Sequence, residues 1–93
     1  MNSRSFEDLK VWQKSCRLCE EVCRALMEAK LVIFAFRDQM MRSALSITSN
    51  IAEGSERDSA ADFRRFLRLA KGSAAELRTQ LYLSSRLGIL TKE

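Results

Sequence analysis

Cys16, Cys19 and Cys23 stand at steps of three and four, which places three thiols along one face of a helix. Thiolates are good ligands for soft metals, so the spacing raises the question of a metal or redox site. Structural zinc usually takes four ligands drawn from more than one segment, and the chain has three cysteines and no histidine. A metal site built here would need thiols from a second subunit. Cysteine also packs as a small hydrophobe, and these three continue a seam that Leu9 and Trp12 begin and Leu26 ends. Core packing is the favoured reading, and no metal is assigned.

The rest of the catalytic inventory is thin. Without histidine the chain lacks the commonest general base. No glycine-rich phosphate loop and no nucleophile-elbow pattern occur. Glu20 with Glu21, and Glu53 with Glu56, are the close carboxylate groupings away from the termini. Metal-dependent hydrolysis needs carboxylates converging from several elements, and salt-bridged or solvated roles are the favoured reading. The expectation is a protein that is not an enzyme and carries no cofactor.

The pattern with most to offer a partner is basic. Arg64, Arg68, Lys71 and Arg78 follow one another at i, i+4, i+7 and i+14, with Arg57 and Arg65 near the same end. Such a row can track a phosphate backbone, each neutralised phosphate adding to the salt dependence of binding. The alternative, somewhat favoured for a lone chain, is a solvated flank with local ion pairs such as Asp62 with Arg65. Self-association changes that balance, because a symmetric ring repeats the row and concentrates its field. The net charge of +4 and pI near 9.3 permit nucleic-acid contact without requiring it.

These residues need elements to hold them. The chain is 93 residues long, with no proline and three glycines, which favours long helices over a sheet with many turns. One all-α domain over 1–93 is expected, an antiparallel up-down bundle of three long helices at about 8–29, 36–53 and 60–87. Phe36, Met40, Ala44, Ile47 and Ile51 mark the core face of the second helix, widened by Met41, Leu45 and Ala52, with Ser46 and Glu53 among the residues on its opposite side. Phe63, Phe66, Leu67, Ala70, Ala74, Leu77 and Leu81 mark that of the third. Ser59 followed by Asp62 reads as its capping box, and Gly88 as its closing residue. Gly54 suits the same left-handed closure of the second helix, while Gly72 within the third is expected to meet a closely packed neighbour or a slight bend. The first helix is apolar over a wide arc, with Val11, Leu18, Val22, Ala25 and Ala29 beside the main seam, so part of it is expected to face another subunit. Thr91-Lys92-Glu93 looks like the cap and first turn of a further helix, truncated or absent here. No apolar run approaches the roughly 18 residues of a membrane span, and the N-terminus has no apolar signal core. A cytoplasmic protein with reduced thiols is expected.

Phe36-Arg37-Asp38-Gln39, the stretch Ser46 to Arg57 with its Asn-Ile-Ala-Glu-Gly core, Phe63 to Leu67, and Ala70 to Leu81 with Gly-Ser-x-x-Glu-Leu are distinctive. Together with Asp8-Leu9-Lys10-Val11-Trp12 they resemble the bacterial four-helix-bundle family named after proteins encoded in intervening sequences of large-subunit ribosomal RNA genes. The resemblance covers nearly the whole chain. It implies an antiparallel bundle that assembles into homopentamers, with relatives among accessory proteins of diversity-generating retroelements that look like basic barrels binding nucleic acid and a reverse transcriptase. For most of the family no function is known. Where relatives often carry proline this chain has Thr48, so a straighter second helix is expected. The resemblance gives Asn50, Glu53 and Gly54 a structural part. Glu53, opposing the helix dipole, is expected to take Arg57 or Arg64 as its cation, and Asn50 to hydrogen-bond across to the third helix.

Two functions follow as expectations. The leading one is a self-assembling scaffold that binds RNA or DNA through Arg57, Arg64, Arg65, Arg68, Lys71 and Arg78 without reading bases. The runner-up is an interaction module whose apolar seam accepts a partner protein's helix. An enzyme or metal protein built at a subunit interface ranks third.

Overall fold

The computed structural model describes residues 5–31 and 33–91, and within them the fold is all-α but for one two-residue ladder. Three helices follow in order: α1 (Lys10–Glu28), α2 (Phe34–Ser55) and α3 (Ala60–Arg86), with a 3-10 turn at Phe6–Asp8 ahead of α1. The up-down arrangement is visible in the residues that pair across α2 and α3. Gly54 meets Phe66, Ser46 bonds Ser73 and Met40 lies by Ser84, an order that runs oppositely along the two helices. At the far end β1 (Lys30–Leu31) pairs antiparallel with β2 (Leu90–Thr91), Lys30 opposite Thr91 and Leu31 opposite Leu90. That ladder ties the α1–α2 connection to the chain leaving α3. Thr91, expected at a helix start, therefore lies in extended backbone, and Lys92 and Glu93 are outside the described residues.

The core follows the three-four periodicity. Leu26 from α1, Met40, Ala44, Ile47 and Ile51 from α2, and Ala70 and Leu77 from α3 form one buried cluster. Leu9, Trp12, Cys19, Val22, Phe36, Met41, Leu67, Ala74 and Leu81 pack around it. α2 is the centre of the packing, because α1 and α3 each lie against it and scarcely touch one another. Several apolar side chains thereby stay in water, among them Val11 and Leu18 of α1, Leu45 of α2, and Leu69, Leu83 and Leu87 of α3.

Two glycines differ from expectation. Gly54 does not close α2. The helix runs on to Ser55, and Gly54 is buried where a Cβ would come within 2.5 Å of the Phe66 Cβ and 3.0 Å of the Phe63 ring. Its value is the missing side chain, which lets α2 and α3 approach. Gly72, expected to meet a packed neighbour or a slight bend, has no such neighbour, with nothing within 4 Å of where its Cβ would stand, and α3 passes through it as helix. Gly88 is as expected. Its φ of +70° closes α3 in the left-handed region, with the Gly88 N–H donating to the Ser85 carbonyl and the Ile89 N–H to that of Ser84. Ile89 is buried beneath this turn.

Candidate nucleic-acid interface

α3 positions the basic row, and its start is set by Ser59, whose Oγ accepts from the Asp62 N–H at 3.0 Å. Phe66, Ala70 and Leu77 turn inward as the buried side of the helix. At 100° per residue this sends Arg64, Arg68, Lys71 and Arg78 to the opposite side, within about 80° of one another. All four are exposed, and none of them has an ion-pair partner among the described residues. Four uncompensated cations along one helix face are what a polyanion's backbone requires.

Arg57 and Arg65 are placed differently. Arg57 Nη2 donates to Glu53 Oε2 at 3.2 Å, and Arg65 Nε lies 3.7 Å from Asp62 Oδ1. Both guanidinium groups also sit over the buried Phe66 ring, at 4.9 and 4.6 Å from its centroid. Arg57 thereby links the end of α2 to the start of α3, whereas Arg65 makes both contacts within α3, and the charge of each is already partly answered by a neighbouring carboxylate.

The Asn50 group also departs from expectation. Asn50 Nδ2 donates to the Ser46 carbonyl at 2.8 Å and to Ser46 Oγ at 3.0 Å, staying on its own helix. The crossing to α3 is made by Ser46, whose hydroxyl shares a 2.8 Å hydrogen bond with Ser73. Ser46 thus faces α3 rather than the solvent side assigned to it. Glu53 takes Arg57 and not Arg64, as an exposed i, i+4 pair.

The cysteines sit where the seam places them. Cys19 packs on the core, Cys16 and Cys23 lie half-buried on its flank, and all three are free thiols. Burial, then the neighbouring thiol of Cys23, push the Cys19 thiol up to about 11, and burial likewise raises that of Cys16. Raised thiols are poor nucleophiles. Among the described residues no three Cys, Asp or Glu side chains converge into a set that could hold a metal ion.

Sequence reading stopped the basic row too soon. Tyr82 and Arg86 continue the same arc beyond Arg78 at further steps of four, and both are exposed. Arg86 Nη1 donates to the Tyr82 hydroxyl at 3.0 Å, its guanidinium 5.6 Å from the ring centroid. The signal was present as i, i+4 spacing, but the uncharged Tyr82 stands between Arg78 and Arg86 and hides the continuation.

The family model described as 23S rRNA-intervening sequence protein matches residues 7–93. The chain belongs to that family. No functionally curated protein matches it. Within the 23S rRNA-intervening sequence family, then, this chain presents a helical bundle with a basic face on α3. Among its described residues no helix is long and apolar enough to cross a membrane.

Proposed function

We propose that this member of the 23S rRNA-intervening sequence family is a non-enzymatic, self-assembling cytoplasmic scaffold that binds nucleic acid through α3. The observation that carries the reading is the row of exposed, unpaired Arg64, Arg68, Lys71 and Arg78 on the side of α3 opposite its core. A row without an interleaved acid attracts phosphates along its length, and such contacts position a polyanion without reading its sequence. Arg57 and Arg65 contribute at the rim, after exchanging Glu53 and Asp62 for phosphate. Self-assembly, a homopentamer by resemblance, multiplies the row around a symmetry axis and strengthens its field.

The test is fluorescence-anisotropy binding to RNA and DNA between about 50 and 200 mM salt. Arg64→Glu with Arg68→Glu is expected to abolish binding near physiological salt. The milder pair Arg64→Ala with Arg68→Ala should lower the salt slope by about 2. No binding at low salt by the folded protein sinks the reading. The exposed leucines of α3 favour the second reading, an interaction module for a partner helix, which predicts tight protein binding and no nucleic-acid binding.

A further inference from the structure

The end of the basic row differs in kind from its beginning. Arg64, Arg68, Lys71 and Arg78 offer charge alone, whereas Tyr82 adds a ring that is 59% exposed. The ring is outside the core cluster, and its one hydrogen bond among the described residues is accepted from Arg86, one turn further along. The Arg86 guanidinium also lies 5.6 Å from the ring centroid, held near the ring by its bond to the hydroxyl. Toward the N-terminal end lies a shallow open depression lined by Ala75, Arg78, Thr79, Leu81 and Tyr82. Ala75 keeps it open, standing on the arc of the row where a longer side chain would fill the space between Lys71 and Arg78. The aromatics near the other end of the row, Phe63 and Phe66, are turned inward and offer no such surface.

We propose that Tyr82, backed by Arg86, is a stacking platform for an unpaired base, and that the row selects single-stranded nucleic acid over duplex. The inference rests on the reading of the row as a phosphate track and adds the class of ligand. Bases within a duplex are stacked on one another and have no free face for the ring, so duplex gains from the row only its charge. A single strand laid along α3 gains the same charge and can turn one base into the depression, against a ring polarised by the guanidinium on its hydroxyl. From Arg64 to Arg86 the row is roughly 33 Å long at the usual helical rise, enough for several nucleotides of extended strand.

The experiment measures binding of RNA and DNA single strands of about 12 bases, and of the corresponding duplexes, to the intact protein, to Tyr82→Ala and to Tyr82→Phe. Single strands are expected to bind about tenfold tighter than duplex at equal salt, and Tyr82→Ala to remove that margin while leaving duplex binding unchanged. Tyr82→Phe keeps the ring and should keep the margin. A difference between the RNA and DNA arms identifies which of the two the platform prefers. Equal binding of single strand and duplex by the parent protein overturns the platform while leaving the phosphate track standing. An unaltered margin in Tyr82→Ala does the same. No binding of either form by the parent removes the track itself. A change in assembly mass on Tyr82→Ala also overturns the proposal, since the ring would then belong to an interface between copies.

Discussion

Cys19 shows how much a single side chain's surroundings decide. Its thiol sits against the core with Cys23 one turn on, and burial first, then that neighbour, hold its pKa near 11 against an ordinary 9.0. At pH 8 the thiolate fraction is therefore about a hundredfold lower than in the unfolded chain. Iodoacetamide at that pH should label Cys19 about a hundredfold more slowly in the folded protein than in denaturant, as read from peptide masses. The sign for stability follows from the same shift. Because the folded value is raised, the contribution is intact below about pH 9 and is lost as pH climbs through 11, so chemical denaturation midpoints should fall across that window. The two helical glycines make a contrasting pair. Gly54→Ala drives a Cβ into the fixed Phe66 Cβ and should cost about 2–3 kcal/mol by overpacking, whereas Gly72→Ala enters open space and should gain about 0.5–1 kcal/mol. Opposite shifts in thermal midpoint check both at once, and a Gly72→Ala variant that loses stability would place that surface inside an assembly. Glu53→Gln breaks an exposed pair and should change stability by less than about 0.5 kcal/mol.

At the scale of elements, the helices and their seams were legible because amphipathic spacing and a serine cap leave periodic marks in a sequence. The inward row of α3 and its Gly88 closure stand as read. Gly54 was misread for a physical reason: a glycine near a helix end marks either a left-handed residue or a missing Cβ, and only the opposing helix tells which. Asn50 was assigned a crossing that Ser46 makes, since a side chain's choice between its own helix and a neighbour depends on interaxial distance, to which spacing is blind. The resulting Ser46–Ser73 bond is the polar lock midway along the α2–α3 pair, and Asn50 orients it by donating to Ser46. Ser73→Ala should cost about 1 kcal/mol in urea unfolding, and adding Ser46→Ala should cost less than it does alone, because the shared bond is already gone and only the Asn50 bond to the Ser46 hydroxyl is left to lose. Additive losses would mean the two hydroxyls act separately. Of the candidate interface, four cations were legible from spacing alone. Tyr82 and Arg86 were not, because a row defined by charge ends where the uncharged Tyr82 follows Arg78.

For the molecule as a whole, the decisive feature is what the three helices leave uncovered. α2 takes α1 on one side and α3 on the other, the body measures 49 × 22 × 16 Å, and apolar side chains remain in water on both outer helices. Leu69, Leu83 and Leu87 fall within about 40° of one another along α3, beside the basic arc. Leu87 is 63% exposed, and rows of this kind on a folded chain mark association surfaces. Association of copies through that row would hold the cationic faces side by side around an axis, so that assembly and polyanion binding reinforce each other. Leu83→Glu with Leu87→Glu tests the link, since repulsion and desolvation oppose burial of carboxylates while neither leucine supports the monomer's core. Sedimentation should give the parent a multiple of the 10.7 kDa chain and the variant a single chain with unchanged helicity. Nucleic-acid affinity should fall with the mass, and the salt slope should shrink, although no cation has been removed. A monomeric parent removes self-assembly from the proposed function. A variant that keeps the parent's mass moves the interface to Val11 and Leu18 on α1, where the same pair of substitutions would then be made.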